Sequence, residues 1–547
     1  MQNRGFPSEG PSYDGLLALH PSPEADNHQH ITVNDTQEDD GGLDDSGLPR
    51  SHAEPKGKDL PELPHDILSL IFWHACQPVL SARSEYGPRW ERTFYPLWLG
   101  KISRSWRETA WASSELWEII VLRINFKKIG IQTDLLREWF GRAKGRLLDV
   151  YIEEPHRAHK LIIPLIRDTR SRVELLDLIS QHSEQFQRID LHLPFHLYQY
   201  FADSTSTRPT SEGPAYPLLR YASLNFREKE EVPEIPELGF KEAPFLCTLS
   251  LSSFRMRPNG LSFCPTKQIT RLVLDSCRNL ILKNLLSDFP RLNELTLTKC
   301  KFSHSRPILG GIVHNHLRIL NVEFTMQVFA VPRSHVMSNS LPGLESISIC
   351  VAEPLRSVDT QHIPPFLEHS RSILTCLTLE FLITAELEYQ LIEFLSLPAI
   401  SSLRELHIRE YSIHGNLLRH LLGAGLGRTF FDVLHPDEDP NYLPHLEIIE
   451  YEGLLAVHAI DFIEPLIVRS RIRTRSDDPP SYEDSKNLGI SEGVATLRKA
   501  TIKADQYSEV ASFSIAEYTD PHYVWEIIQL MEEGALRLLN MDGSLWE

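Results

Sequence analysis

The sequence predicts an α/β solenoid, a long array of strand-and-return units that follows a short N-terminal helical module. Two observations carry this. The motif L-x-x-L-x-L, with conservative replacements, recurs twelve times between residues 147 and 502, and its central starts at 246, 269, 292, 317, 344, 374 and 403 are 23 to 30 residues apart. Between residues 60 and 122 the apolar residues recur instead at helical spacing, in three short runs.

The chain has 547 residues, of which 41% are hydrophobic and 24% charged, so most of it can bury a core. Its first 58 residues differ. They carry eleven Asp/Glu against four Lys/Arg and few clustered apolar residues, and predict a disordered acidic tail that cannot offset its ordering entropy. His28, His30, Asp39 and Asp40 lie there, where nothing fixes a ligand geometry.

Helical order is expected to begin at Leu60. Pro64 suits a first turn, Asp66 complements the helix dipole, and Leu63, Ile67, Leu68, Ile71, Phe72 and Ala75 make an apolar face. A polar stretch from Gln77 to Glu91 interrupts. Trp98, Ile102 and Trp106 then fall four residues apart with Leu99 and Ala110 beside them, opposite Lys101, Arg104 and Arg107. Ser113 or Ser114 offers an N-cap to a last helical turn that runs through Trp117 into an extended apolar segment. Three short helices in about sixty residues hold a marginal core and are expected to want a partner surface.

The array is expected over residues 147–547. Its motif segments are Leu147–Ile152, Phe186–Leu191, Leu219–Leu224, Leu246–Leu251, Ile269–Leu274, Leu292–Leu297, Leu317–Val322, Leu344–Ile349, Leu374–Leu379, Leu403–Ile408, Leu446–Tyr451 and, weakest, Leu497–Ile502. This is the signature of a leucine-rich-repeat strand, here in an irregular array. Cys277 and Cys300 follow the last apolar strand position by three residues and read as core residues that cap the turn. Residues 284–289, 389–397 and 417–422 read as short return helices, and 523–538 as a terminal capping helix. Insertions near 428–442 and 469–492 read as surface loops. The competing architecture is an ordinary α/β domain, which strand-helix alternation also predicts.

Chemistry-bearing motifs are scarce. There is no GxSxG, P-loop, Rossmann fingerprint, HExxH or kinase set, so a non-catalytic protein is expected, against an enzyme with an unrecognised site. His314-Asn315-His316 reads as the approach to a strand, and Gly423–Gly427 as a helix end and turn. The seven cysteines are scattered with no CxxC pair, which predicts a reducing compartment, cytoplasmic or nuclear, with no metal and no cofactor. A net charge of -19 argues against non-specific nucleic-acid binding. The polar N-terminus, and the lack of any run of about 18 apolar residues, predict no membrane association. Arg469, Arg471, Arg473 and Arg475 read as a solvated loop edge. Pro479-Pro480-Ser481-Tyr482 fits the PPxY form that a WW domain reads.

Residues 60–122 resemble an F-box, in the F-box-like form common in fungal families. The resemblance rests on Leu63-Pro64-x-x-Ile67-Leu68-x-x-Ile71-Phe72, Ile102-Ser103-Arg104-x-Trp106-Arg107 and Leu116-Trp117. It departs in the long connection from Gln77 to Phe94, and in Ser103, where many members carry Cys. The resemblance implies a Skp adaptor as partner and, through it, a cullin scaffold. The adaptor-facing set would be Leu63, Pro64, Ile67, Leu68, Ile71, Phe72, Leu99, Ile102 and Trp106. F-box proteins with leucine-rich repeats use the repeats to hold the protein to be ubiquitinated. The expected function is therefore the substrate-recognition subunit of a Skp-cullin-F-box ubiquitin ligase. The alternative is a repeat scaffold with no ligase link, its helices a plain N-terminal cap. Arg271, Asp275, Glu294, Asn321, Glu323, Glu405, His407 and Arg409 lie beside the apolar strand positions and are the expected substrate-facing residues on the concave side.

Overall fold

In the computed structural model the residues described are 63–81, 89–92, 96–154, 169–206, 214–226, 240–256, 261, 263–302, 312–324, 340–351, 363–381, 385–410, 426–455, 459–471, 495–505, 521–540 and 543–545. The expected acidic tail, Arg473, Arg475, the PPxY segment and the 417–422 helix lie outside them.

Three helices open the described chain: α1 (His65–Ala75), α2 (Pro96–Ile102) and α3 (Arg104–Ala112). The second apolar run is two helices rather than one. Ser103 breaks it, adopting an extended backbone while its Oγ accepts the Trp106 N–H at 3.1 Å, an N-cap for α3. Arg107 Nε donates to Gly100 O at 2.8 Å, satisfying a carbonyl at the end of α2. The stretch expected to be merely polar contains a hairpin, β1 (Pro78–Ser81) antiparallel to β2 (Arg89–Arg92).

Beyond these, the described residues form a 14-stranded sheet in which every strand lies next to its sequence neighbours. The strands are β3 (Ile119–Arg123), β4 (Leu148–Glu153), β5 (Phe186–Leu193), β6 (Tyr221–Phe226), β7 (Thr248–Ser252), β8 (Arg271–Asp275) and β9 (Glu294–Thr298), followed by β10 (Ile319–Phe324), β11 (Ser346–Val351), β12 (Cys376–Phe381), β13 (Glu405–Glu410), β14 (Ile448–Leu454), β15 (Lys499–Asp505) and β16 (Leu536–Asn540). All thirteen pairings are parallel. A doubly wound domain would reverse its strand order at a switch point; this order never reverses, which makes the fold an α/β solenoid.

Each motif segment runs into one strand, and the fourth and sixth motif positions stack across the sheet. Leu249, Leu272, Leu295, Leu320 and Ile347 form one buried row and Leu251, Leu274, Leu297, Val322 and Ile349 the next. Such side chains are worth about 1.5–3 kcal/mol each on full burial. After β7, β8 and β9 one residue turns left-handed, Ser253, Ser276 and Lys299. Its N–H continues the ladder to the next repeat, as in Ser276 N to Thr298 O at 2.7 Å. Cys277 and Cys300 then point inward, their Sγ atoms on Leu251 O and Leu274 O at 3.4 and 3.2 Å, the turn-capping role expected of them. His314 is buried in a similar service, with Nε2 on Phe289 O and Nδ1 accepting the Leu317 N–H.

Several expectations need correction. The array starts with β3, inside the segment assigned to the helical module, and a helix α4 (Ile129–Ala143) returns from it. Leu147 is exposed, because the register between β4 and β5 shifts beside Leu148, which takes the buried position instead. The expected terminal helix 523–538 is a helix (Pro521–Glu532) followed by β16, with Leu538 in the strand. Residues 428–442 are no surface loop: the helix Arg428–Leu434 buries Phe430, Phe431 and Leu434, and Tyr442 is buried too. Arg469 ends the helix Ala459–Arg471 with its side chain inside the protein, donating to the carbonyls of Leu434, Tyr442 and Leu443 at 2.7, 2.6 and 3.2 Å. Burial pushes its guanidinium down to about 10, still charged at neutral pH.

Candidate protein-interaction surfaces

Helix α1 is apolar on two sides. Leu68, Phe72 and Cys76, spaced four residues apart, are buried; Phe72 is fully enclosed and meets the Trp106 ring at a centroid distance of 4.8 Å. The other side carries Leu63, Ile67, Leu70 and Ile71 at 53, 47, 54 and 46% exposure. Helix α2 repeats the arrangement, with Leu99 inside and Trp98 and Ile102 outside at 50 and 60%.

Of the nine expected adaptor-facing residues, Leu63, Pro64, Ile67, Ile71 and Ile102 are therefore exposed. Leu68, Phe72 and Leu99 are not; they are the module's own core and cannot also face a partner. Trp106 is half-buried and packs against that core. Leu70, Trp73 and Trp98 are exposed apolar residues that the sequence reasoning left out of the set. Their signal was present, since a helix with apolar residues on both sides has more than its own core needs.

The inner side of the module is tied to the start of the sheet. Trp117 is buried beside β3, its Nε1 donating to Ala110 O at 3.0 Å, while Trp139 Nε1 on α4 donates to Trp117 O at 2.8 Å. Arg142 lies over the rings of Trp111 and Trp117, 4.4 and 4.7 Å from their centroids. Gly100 sits where an added Cβ would strike the Trp111 ring at 2.4 Å, which explains a glycine in so short a helix.

The second surface is the open face of the sheet, made by the strand residues that alternate with the buried ones. All eight expected substrate-facing residues lie there and none is buried. Neighbouring strands pair them: Arg271 with Glu294 at 3.0 Å, Lys299 with Glu323 at 3.5 Å, Asn321 with Thr296 at 3.2 Å and Arg409 with Glu452 at 3.9 Å. Asp275 has its carboxyl raised by burial, and the Cys350 thiol is pushed up to about 12 by burial and then by Glu380.

Toward its C-terminal end this face becomes a charged lattice. His407 Nδ1 is 2.9 Å from Glu450 Oε2, Lys499 Nζ is 2.5 Å from Glu450 Oε1, and Lys503 Nζ is 2.7 Å from Glu452 Oε1. A hydrogen bond to Cys376 raises the His407 pKa, burial opposes this, and Glu450 adds to it. At the other end Arg188 lies over the Tyr221 ring, 3.8 Å from its centroid, and 5.4 Å from that of Tyr151. That tyrosine-arginine group was not anticipated. Its residues occupy the unspecified positions of the motif, where only the register between β4, β5 and β6 reveals that they meet.

No protein-family model matches the chain, and no curated protein does. Among solved structures the leucine-rich repeat domain of APL1B is similar at 13% identity, covering 60% of this chain and 78% of that one, with a TM-score of 0.23. The likeness is too distant to carry an argument. Strand order and the buried motif positions define the class: this is an α/β solenoid of the leucine-rich-repeat kind, a fold suited to an interaction scaffold. All seven cysteines are free thiols, and among the described residues no helix is long and apolar enough to cross a membrane.

Proposed function

We propose that the chain is a non-catalytic substrate receptor of a Skp-cullin-F-box ubiquitin ligase, in which α1 and α2 bind the Skp adaptor and the open face of the sheet holds a target protein. One observation carries the adaptor half. α1 and α2 complete a buried core with Leu68, Phe72 and Leu99 and still leave Leu63, Ile67, Leu70, Ile71, Trp98 and Ile102 in water. Surface of that kind is costly to leave exposed and suits an anchor. The F-box resemblance names the partner. Free thiols throughout suit a reducing cytoplasm or nucleus.

The target half rests on the mixed face. Arg188 and Tyr221, half-buried with Tyr151 buried beside them, are of residue types that dominate binding energy at interfaces, and the paired charges farther along suit a polar rim. A WW-domain partner at Pro479, Pro480 and Tyr482 is a further proposal that rests on sequence alone.

The test is binding of a purified Skp adaptor to the full chain and to an Ile67→Asp/Ile102→Asp variant, with Arg409→Glu on the open face as control. Binding by the parent and the control, weakened at least about 100-fold in the double variant, is the expected result. Absence of binding by the parent would remove the ligase link and leave a repeat scaffold.

A further inference from the structure

On the open face, β12 and β13 bring three metal-ligating groups together. Cys376 and Glu405 are register partners, and His407 follows two residues along the same strand on the same face. One ligand atom from each, the Cys376 Sγ, a Glu405 carboxylate oxygen and a His407 ring nitrogen, lies within 4.8 Å of the others. Glu405 Oε2 and His407 Nε2 are 3.7 Å apart. A tetrahedral zinc with bonds of about 2.0–2.3 Å holds its ligand atoms about 3.3–3.6 Å apart, so small side-chain rotations close the set.

What surrounds His407 points the same way. Its Nδ1–H donates to Glu450 Oε2 at 2.9 Å, and Glu450 is held in turn by Lys499 Nζ on its other oxygen. This holds the proton on Nδ1, so that a metal at Nε2 would replace the ring's present hydrogen bond to Cys376, as the carboxylate behind a metal-binding histidine allows. One thiolate and one carboxylate neutralise a divalent ion, and all three groups are half-buried on the open side, which leaves a fourth position to water or to a donor from a docked protein.

We propose that Cys376, Glu405 and His407 form a binding site for a zinc-class divalent ion, with Glu450 as the positioning residue behind His407. The sequence gives no sign of such a set, because its members come from two strands 29 residues apart, a separation that no ligand-spacing motif spans. The site needs only the sheet and is independent of the adaptor proposal.

The test uses cobalt(II) as a spectroscopic probe on the full, chelator-treated chain. The expected result is one equivalent of cobalt with a thiolate-to-metal charge-transfer band, absent in Cys376→Ser and retained in Cys247→Ser. Glu450→Gln, which keeps all three ligands, should bind about 10- to 100-fold more weakly with the band intact. Zinc should displace the cobalt and raise the thermal midpoint of the parent. No band at equimolar cobalt, a band that survives in Cys376→Ser, or an unchanged affinity in Glu450→Gln would each overturn the proposal. The last keeps the question open to decision if Cys376→Ser fails to fold.

Discussion

Arg469 Nε donates to Leu434 O across 2.7 Å in the interior, joining the end of one return helix to the end of the helix before it. With Tyr442 O and Leu443 O the guanidinium serves three carbonyls, one at a helix end and two in the turn that follows. Replacing it with leucine fills the space but leaves Leu434 O and Tyr442 O dry, while Leu443 O keeps the Leu446 N–H at 3.1 Å. Arg469→Leu should cost about 3–5 kcal/mol, read as a lowered urea midpoint, and Arg469→Lys should recover only part of it because an ammonium lacks the planar fork.

Phe72 and Ile67 are a buried and an exposed apolar residue on one helix. Phe72 is enclosed against Trp106, so Phe72→Ala should lose about 3–5 kcal/mol of stability. Ile67→Asp removes an exposed side chain and should stay within about 0.5 kcal/mol of the parent in thermal unfolding. A large stability loss from Ile67→Asp would mean that this side of α1 is covered after all.

Gly343 approaches the backbone of the preceding repeat so closely that an added Cβ would lie 2.4 Å from Asn315 O. No rotamer relieves a contact with a main-chain carbonyl. Gly343→Ala should destabilise by about 1–3 kcal/mol in chemical denaturation, although the residue carries no side chain and borders no site.

Glu388 is buried and accepts the Phe430 N–H at 2.8 Å at the start of the helix Arg428–Leu434. Gly427 leaves room for it, since a Cβ there would come within 2.2 Å of Glu388 Oε2. Burial raises the Glu388 pKa above 4.5, the Phe430 and Gly427 N–H groups opposing. An acid whose folded pKa stands above its unfolded value favours the fold fully below the unfolded value and loses that contribution as pH rises through the folded one. Stability measured by urea should therefore decline upward from pH 4.5 by a component that Glu388→Gln abolishes. Glu388→Ala, which orphans the Phe430 N–H, should instead destabilise by about 1–3 kcal/mol at every pH.

The repeats were legible because buried positions at fixed offsets leave a direct imprint on sequence. All twelve motif segments run into strands, including the weak one at Leu497. The two strands of the 14-stranded sheet that carry no motif segment fail it for identifiable reasons. In β3 the first position is Trp117, so Trp117-x-x-Ile120-x-Leu122 matches in volume but not in letters. In β16 that position falls on Glu533, an exposed charge ahead of Leu536 and Leu538. Arg469 misled because a run of arginines is usually solvated, and a buried member differs only by the carbonyls that fold onto it. Of the adaptor-facing set, the structure leaves the outer residues of α1 and α2 exposed and buries Leu68, Phe72 and Leu99, since helical spacing alone does not say which of two apolar sides is already taken.

Because each strand lies beside the one made just before it, synthesis and folding can proceed in the same direction. A newly emerged repeat finds its docking edge already complete, and among the described strands of the 14-stranded sheet none must wait for a partner hundreds of residues downstream. The helices α1 to α3, tied through Trp117 to β3, precede every strand of the 14-stranded sheet in the chain and would be made before any of them.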